Sequence, residues 1–374
     1  MAKKLSAAAY SLILGLAGIL GACDYTSAPN QAAVAEFIVG SYAKPNEPGI
    51  YRIQLDLPSG ALSAIDPLAN TVNPSYLTLS TDKQTVYAVN ETNQGGVSIF
   101  NWQADRAGLT LAAQLTDLGD NPCHISLSPD GTMLAIANYS SGDIRLFKVD
   151  NNTLSQFASY QHQGQGTHAR QEAPHKHWVN WSADGRFIYS VDLALDEVSV
   201  YQLEGENLLP AKVAIKLQAE DGPRHMLFSD KQGMAYLINE LSNTVVVMQA
   251  NNQSGELTEV QRLSSLPEEF SGKSQAAAIK LSPQQDFLYV SNRGRNSIAV
   301  FAIVGGGKLE YRQDVSTGGD WPRDFAISDD GEYLLVANQQ SNDINVLKRD
   351  NKTGLLSATG HKISVSQPTY LSQL

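Results

Sequence analysis

The feature that most constrains this chain is an internal repeat, in which a strand-like run ends on serine and leads into a turn. The run has the form apolar, variable, apolar, Ser, and its six copies end at Ser80, Ser128, Ser182, Ser229, Ser282 and Ser328. Successive copies lie 48, 54, 47, 53 and 46 residues apart. A period of about 40 to 50 residues is typical of one four-stranded β-propeller blade.

Each copy continues into three further strand-like segments. A turn such as Pro129-Asp130-Gly131 follows most of the serines, and a second apolar strand then ends on Asn or Asp. The second strands end at Asn90, Asn138, Asp192, Asn239, Asn292 and Asn338. We expect these repeated side chains to bond the adjacent turns. A third alternating strand and a more polar fourth strand complete each unit, which predicts antiparallel meanders.

The two ends of the repeat region complement each other. Residues 37–65 carry three strands without a first one, whereas Pro368 to Leu374 carries only a first strand. A blade shared between the two ends would close the ring and remove open sheet edges. The sequence therefore predicts an all-β fold over residues 36–374, a single seven-bladed β-propeller. Its innermost strands are predicted to start at Ser75, Cys123, His177, Arg224, Ala277, Arg323 and Thr369.

The first 35 residues lie outside the repeat. Lys3 and Lys4 precede an apolar run from Leu5 to Leu20, and the run leads through Gly and Ala to Cys23. This pattern resembles the lipobox of bacterial lipoproteins, with an ordinary signal peptide as the alternative. We expect a lipoprotein signal peptide over residues 1–22, a lipidated Cys23 and a tether over residues 23–35. The protein would then be exported and membrane-anchored, facing the periplasm.

Charge content limits the molecules that this chain is expected to bind, and cysteine content limits its disulfides. The chain has 27 Lys and Arg against 38 Asp and Glu, a net charge of -11, and no basic run beyond Lys3 and Lys4. A nucleic-acid partner is therefore disfavoured, and an anionic small molecule would need a local cationic pocket. Cys23 and Cys123 are the only cysteines, so a lipidated mature chain has one thiol and no internal disulfide.

The geometry of a blade selects the candidate site residues. The start of the first strand and the end of the second lie at the same sheet edge, so these positions gather at one mouth of the channel. The distinctive residues at these positions are His175, His177, Glu91, Arg224, His225, Glu240, Arg293, Arg323 and Asp324. Three arginines and two glutamates around one opening indicate an anion-binding pocket with a carboxylate for proton transfer. A ring of surface ion pairs without chemistry is the alternative.

Four of the seven histidines fall within sixteen residues, which raises the question of a metal site. They are His162, His168, His175 and His177. His162 and His168 lie in a Gln- and Gly-rich loop, and no Cys or regular carboxylate spacing accompanies the four. We therefore expect neither a metal nor another cofactor. A nucleophile elbow and a phosphate-binding glycine loop are also missing from the sequence.

Three motifs carry a family resemblance. They are Ala-Pro-His-Lys-His ending at His177, Gly-Pro-Arg-His ending at His225, and Ser-Asn-Arg-Gly ending at Gly294. Together they resemble the seven-bladed lactonases of the bacterial 6-phosphogluconolactonase type, which are related to carboxy-muconate lactonizing enzymes. The resemblance implies a site made of His175 or His177 with Arg224, Glu240 and Arg293.

By this resemblance the chain is expected to be a hydrolase that opens a sugar-type lactone. Arg224 and Arg293 would bind an anionic group or polarise the ring carbonyl, and His177 or Glu240 would activate water. The expected substrate-binding residues are His175, His225, Arg323 and Glu91. Asp324 stands where the family has His, so we expect its charge to weaken phosphate binding. A non-catalytic envelope propeller and a lactonizing cycloisomerase are the alternatives.

Overall fold

The computed structural model describes residues 34–374, so the predicted signal peptide, Cys23 and nearly all of the tether lie outside the described residues. The described chain is almost entirely β-strand. Its strands are β1 Val34–Ser41, β2 Pro48–Asp56, β3 Leu62–Asn70, β4 Leu77–Leu79, β5 Thr85–Asn90, β6 Gly96–Trp102, β7 Leu109–Leu115, β8 Pro122–Leu127, β9 Met133–Asn138, β10 Asp143–Asp150, β11 Thr153–Gln161, β12 Lys176–Trp181, β13 Phe187–Asp192, β14 Glu197–Glu204, β15 Asn207–Leu208, β16 Lys212–Lys216, β17 Pro223–Ser229, β18 Met234–Asn239, β19 Thr244–Ala250, β20 Leu257–Ser264, β21 Gln275–Leu281, β22 Phe287–Arg293, β23 Ser297–Val304, β24 Lys308–Ser316, β25 Pro322–Ile327, β26 Tyr333–Asn338, β27 Asp343–Arg349, β28 Leu356–Ser364 and β29 Pro368–Gln373. A 3₁₀ turn, Gly305–Gly307, joins β23 to β24.

The strands form seven antiparallel sheets, as the repeat predicts. Blade 1 has the order β29-β1-β2-β3, and blade 2 contains β4 to β7. Blades 3 and 4 contain β8 to β11 and β12 to β16, and in blade 4 both β15 and β16 pair with β14. Blades 5, 6 and 7 contain β17 to β20, β21 to β24 and β25 to β28. The predicted seven-bladed propeller is confirmed, with a short extra strand in blade 4.

Blade 1 closes the ring in the predicted way. The C-terminal strand β29 pairs antiparallel with β1, and its register aligns Phe37 with Gln373 and Gly40 with Tyr370. One predicted strand start is slightly too early. The innermost strand of blade 2, β4, begins at Leu77 and not at Ser75. The Ser75 amide instead donates to the Asn73 carbonyl at 2.8 Å, which holds a turn before the strand.

The core is distributed between the blades. Seven clusters of buried apolar side chains each join two neighbouring blades, so that every blade interface has one. In the cluster between blades 4 and 5, for example, Trp178 and Tyr189 pack with Met226 and Leu237. Because burial is shared by neighbours, each blade depends on the next for its hydrophobic stabilisation.

The repeated polar residues act in turns and connections. Ser128 Oγ donates to Asp130 Oδ1 at 2.6 Å and accepts from the Met133 amide at 2.9 Å, which fixes the turn after β8. Asn138 Nδ2 donates to the Leu118 carbonyl at 2.8 Å, in the segment that enters blade 3. Asn292 makes the same kind of bond, to the Ser265 carbonyl at 3.0 Å. These contacts confirm a structural role for the repeated Asn and Ser positions.

The two ends of the channel differ chemically. We call the end where the first strands start the arginine end, after Arg224, Arg293 and Arg323, and the opposite end the serine end, after Ser128 and Ser229. Over residues 34–374 we find no helix that is both long and apolar enough to cross a membrane.

Candidate active site

A single buried carboxylate organises the arginine end. Glu240 follows β18 directly and is 1% exposed. Its Oε2 lies 3.1 Å from Arg224 Nε and 2.8 Å from Arg293 Nη2. Its Oε1 lies 2.6 Å from Nη1 of Arg170, a residue of the loop between β11 and β12. One carboxylate therefore holds three guanidinium groups from three separate segments of the chain.

The cluster carries excess positive charge. Burial alone raises the pKa of Glu240, but Arg293, Arg224 and Arg170 more than offset this effect and hold that pKa well below its usual range. Burial and the charges of Arg293 and Arg323 lower the pKa of Arg224. Guanidinium groups stay protonated in proteins, so three cations face one anion. Such an arrangement attracts a negatively charged group or a developing oxyanion.

β-Bulges place the first-strand residues at this end. In six blades the pairing between the first and second strands skips residues near the start of the first strand, and bulges re-aim the side chains of such residues. The skipped residues are Cys123, His177, Arg224, Ala277 with Ala278, Arg323 and Thr369. The bulge lets Arg224 reach Glu240 while its neighbour His225 also faces the channel, 3.3 Å from Arg224 Nη1 through its Nε2.

A second charged pair lies beside the first cluster. Arg323 Nη2 is 3.6 Å from Glu91 Oε2, and the guanidinium lies 5.3 Å from the Tyr42 ring centroid. The Tyr42 hydroxyl donates to Glu91 Oε1 at 2.8 Å, whereas the buried Glu91 Oε2 accepts no hydrogen bond. Arg323 and Glu91 thus offer both donors and an acceptor to a bound molecule.

His177 lies among these charges as a neutral ring. It is 5% exposed, and its Nδ1 is 3.9 Å from the Cys123 sulfur. Burial and the nearby Arg224 lower the pKa of His177 well below its usual range. Burial and the Glu91 charge raise the pKa of the Cys123 thiol. At neutral pH the pair is therefore an uncharged imidazole beside a protonated thiol, which is a poor nucleophile.

The remaining predicted histidines lie on either side of His177. His175, just before β12, stacks on Tyr139 with ring centroids 4.3 Å apart, and its Nδ1 is 2.9 Å from the Tyr139 carbonyl. His225 lies deeper and contacts the His177 ring edge-on at 5.3 Å. The structure thus brings Arg224, Glu240 and Arg293 into direct contact, with His175 near the rim and His225 below.

Comparison with known proteins decides the family. The family model for lactonases with a seven-bladed β-propeller matches residues 36–372. The chain belongs to this family. The 6-phosphogluconolactonase of Bacillus subtilis is 34% identical to it over 335 residues, covering 88% of this chain and 95% of that protein.

Solved structures of similar proteins agree with this membership. The periplasmic gluconolactonase PpgL of Pseudomonas aeruginosa superposes with a TM-score of 0.86 at 32% identity, covering 91% of this chain and 99% of that one. A protein from Lactobacillus plantarum superposes with a TM-score of 0.85 at 30% identity, covering 91% and 100% of the two chains. The protein is therefore an enzyme of the lactonase type, and the non-catalytic alternative is disfavoured.

The geometry of this lactonase does not support one expectation about its substrate. Asp324 was expected to oppose a phosphate at the mouth. Its Oδ1 instead lies 3.1 Å from Lys280 Nζ, and its Oδ2 accepts from the Leu371 amide at 3.0 Å. Because the carboxylate is neutralised below the arginine layer, it contributes little repulsion at the mouth.

Sequence reasoning missed several residues of the candidate site. Arg170 lies in the loop between β11 and β12. This loop makes the interval from Ser128 to Ser182 the longest of the repeat, and its extra length is the sequence feature that could have indicated a functional loop. Tyr42, Tyr139 and Trp321 also lie at the mouth, where the Arg293 guanidinium is 5.3 Å from the Trp321 ring centroid. Aromatic residues carry no distinctive pattern in a strand-rich chain, so their placement required the structure.

The histidine-rich segment does not converge on one point. His162 contacts the Tyr201 hydroxyl inside blade 4, whereas His175 and His177 lie at the arginine end. Over the part of the chain that the structure describes, no group of three or more His, Cys, Asp or Glu side chains is arranged to hold a metal ion.

Proposed function

We propose that this lactonase opens a sugar-derived lactone by addition of water, at the arginine end, and that it acts outside the cytoplasm while anchored through Cys23. The observation that carries the catalytic part is the contact of three guanidinium groups with the single carboxylate of Glu240. Lactone opening produces an oxyanion and then a carboxylate, and this cluster has the charge to stabilise both.

The two buried arginines have donors to spare for the substrate. Arg224 contacts Glu240 through Nε and donates to the Ala277 carbonyl through Nη1 at 2.7 Å. Arg293 donates through Nε and Nη2 to the Gln275 and Ala276 carbonyls. Arg224 Nη2 and Arg293 Nη1 are not used in these contacts. In the proposed mechanism they donate to the lactone carbonyl oxygen and bind it more tightly as its negative charge grows.

The surroundings favour His177 over Glu240 as the proton acceptor. Glu240 is a weak base, because three guanidinium groups stabilise its ionised form. Burial and Arg224 also lower the pKa of His177, so its ring is neutral in the free enzyme and takes the proton of the attacking water only as the growing oxyanion offsets the Arg224 charge. The water oxygen bonds to the carbonyl carbon as its proton passes to His177, the ring C–O bond breaks, and His177 returns that proton to the ring oxygen, which becomes a hydroxyl of the product acid. The growing oxyanion favours the protonated imidazole during this step.

The proposed substrate class is an aldonolactone. The relatives are named for 6-phosphogluconolactone and for gluconolactone, both sugar lactones. Arg323 and Glu91 together offer donors and an acceptor, which matches the hydroxyl groups of such a ring. Phosphorylated sugar lactones arise in the cytoplasm, so an exported enzyme would meet the neutral form.

Steady-state kinetics test the proposal. The full-length protein in detergent is assayed for acid release from gluconolactone, 6-phosphogluconolactone and an unrelated aliphatic lactone. We expect turnover of gluconolactone above the spontaneous rate. In His177→Ala, kcat should fall about a hundredfold, the usual size of a lost general base. In Arg224→Ala and Arg293→Ala, kcat/KM should fall by at least about a hundredfold, since each loses an oxyanion donor.

Arg312→Ala is the matched control, because Arg312 pairs with Glu310 on the exposed outer strand β24. It should retain wild-type kinetics. No turnover of any lactone, or wild-type kinetics in folded His177→Ala, Arg224→Ala and Arg293→Ala, would contradict the proposed site.

A further inference from the structure

A cavity occupies the channel toward its serine end. It has a volume of about 630 Å³ and is lined by residues in or next to the innermost strands, including Tyr76, His124, Trp178, Asn180 and Lys280. Pockets of about 300 to 1,000 Å³ are the usual size for small organic ligands. Arg224, Glu240, His177 and Arg293 do not line this cavity, so it is separate from the catalytic cluster.

Strand register explains which residues face the cavity. Successive side chains of a strand alternate between faces, so every second residue of an innermost strand points into the channel. Below the bulged residues, one layer contains Tyr76, His124, Trp178 and His225. The next layer contains the variable residue of the apolar, variable, apolar, Ser repeat, as in Thr78, Ser126 and Asn180. The repeat therefore does not fix the type of residue at the position that faces the channel.

The chemistry of these layers combines flat rings with single polar groups. Tyr76 packs against His124 with ring centroids 4.2 Å apart, and His124 lies 5.8 Å from Trp178. Ser126 is 6% exposed, and its buried hydroxyl has no hydrogen-bond partner in the protein. A buried hydroxyl without a partner costs free energy, which a ligand with hydroxyl groups would recover.

The cavity carries no free charge. Lys280 is the cation of its wall, and Nζ lies 3.1 Å from Asp324 Oδ1 and 3.4 Å from the Leu371 carbonyl oxygen. Burial and the nearby Arg224 charge lower the pKa of His124 to about 3, so this ring is neutral. Burial and the Arg224 charge also lower the pKa of His225. A charged ligand would therefore find no unpaired counter-charge here.

We propose that this cavity is a second binding site, for a neutral ring molecule of monosaccharide size that bears several hydroxyl groups. The partly exposed Tyr76 ring packs against the C–H face of such a ring, supported by the buried rings of His124 and Trp178, and Thr78, Ser126 and Asn180 hydrogen-bond its hydroxyl groups. The ligand would reach the catalytic cluster only through His225, whose Nε2 is 3.3 Å from Arg224 Nη1.

Direct binding measurements test this site without reference to turnover. The probe is D-glucose, which has no lactone bond to hydrolyse, titrated into the full-length protein and followed by saturation-transfer NMR. Asn180→Phe fills the cavity, and we expect it to weaken glucose binding about tenfold or more. Ser126→Ala removes the unpartnered hydroxyl and should weaken binding severalfold. Thr258→Phe adds the same ring on the exposed strand β20 and should bind as the wild type does.

Arg293→Ala separates the two sites. Glucose binding that survives in Arg293→Ala and is lost in Asn180→Phe supports the second site. The proposal is overturned if glucose does not bind saturably, if Arg293→Ala abolishes binding, or if Asn180→Phe and Ser126→Ala both bind glucose as the wild type does.

Discussion

Trp321 combines a bulky side chain with a strained backbone conformation. Its φ is +64°, in the left-handed region that bulky residues rarely adopt. The corresponding positions before the first strands of other blades hold Asn73, Asn121 and Gly222, whose φ values are also positive. Among the described residues, Trp321 is the aromatic residue with a positive φ, and its ring contacts Arg293. Strain held at such a position indicates that the ring serves the site.

We therefore expect Trp321→Asn to separate stability from activity. Asn tolerates this backbone conformation, so relief of about 1 kcal/mol of strain should offset the lost ring contacts. The free energy of unfolding in urea should change by less than about 1 kcal/mol, while kcat/KM falls about tenfold or more because Arg293 loses the ring contact that helps to orient it. Asn121→Gly, which keeps the same backbone conformation in blade 3, is the control. Unchanged kcat/KM in Trp321→Asn would contradict this role.

The buried histidines predict how stability depends on pH. The folded protein keeps His124, His177 and His225 neutral, because burial and Arg224 lower their pKa values. In the unfolded chain each histidine takes up a proton below about pH 6.5. Stability from these groups is therefore fully present above that pH and is lost as the pH falls toward the folded-state values. Each contributes a slope of up to about 1.4 kcal/mol per pH unit.

Urea unfolding at pH 8, 7, 6 and 5 measures this dependence. We expect a flat region above pH 7 and a steep decline below pH 6.5. His124→Asn removes one titrating ring, so its decline should be shallower by about 1.4 kcal/mol per pH unit. An identical slope in the wild type and His124→Asn would show that His124 does not titrate on unfolding.

At the scale of strands, the sequence predicted more of the fold than of the site. The period-two pattern and the terminal half-blades were enough to place the seven sheets and the closing strand. The bulges were not predictable, because each lies near the start of its strand, where too few residues precede it for a break in the alternation to be recognised. Yet the bulge is what lets consecutive residues such as Arg224 and His225 both face the channel. Arg170 was not predicted because its loop, between β11 and β12, has no counterpart in the other repeats.

The strand β29 provides a test of ring closure. Deleting Pro368 to Leu374 exposes the edge of β1 and removes Leu371 from the cluster between blades 1 and 7. We expect a loss of several kcal/mol in stability and aggregation through the open edge. Gln373→Ala, on the same strand but partly exposed, should stay within about 0.5 kcal/mol of the wild type. A truncated chain that melts within a few degrees of the intact one would refute closure by β29.

At the scale of the whole molecule, the charge at the mouth has the opposite sign to the net charge of the chain. A net charge of -11 coexists with a mouth at which Arg170, Arg224, Arg293 and Arg323 face Glu240 and Glu91. The acidic remainder of the surface does not cancel this field, because screening limits exposed charges to about 10 Å. Composition leads us to expect no nucleic-acid partner, but it gives no information about the local charge at the mouth.

The proposed anchor also concerns the whole molecule. Cys23→Ser should convert a detergent-phase protein into an uncleaved precursor or an aqueous one, because acylation supplies the membrane affinity of the processed chain. Phase partition of cell extracts measures the difference. Cys123→Ser changes the other cysteine, buried beside His177, and should leave partition unaltered. Mature-sized Cys23→Ser protein that still partitions into detergent would rule the anchor out.

The pairing of β29 with β1 also sets an order of events during synthesis. The Thr369 hydroxyl donates to the Gly40 carbonyl across 329 residues of chain, so blade 1 stays incomplete until β29 has left the ribosome. Residues of the mouth come from every blade, with Tyr42 after β1 and Arg323 in β25. A chain that stops short of its final strand can form several blades and still lack a complete mouth. Catalytic competence therefore depends on translation through Pro368–Gln373.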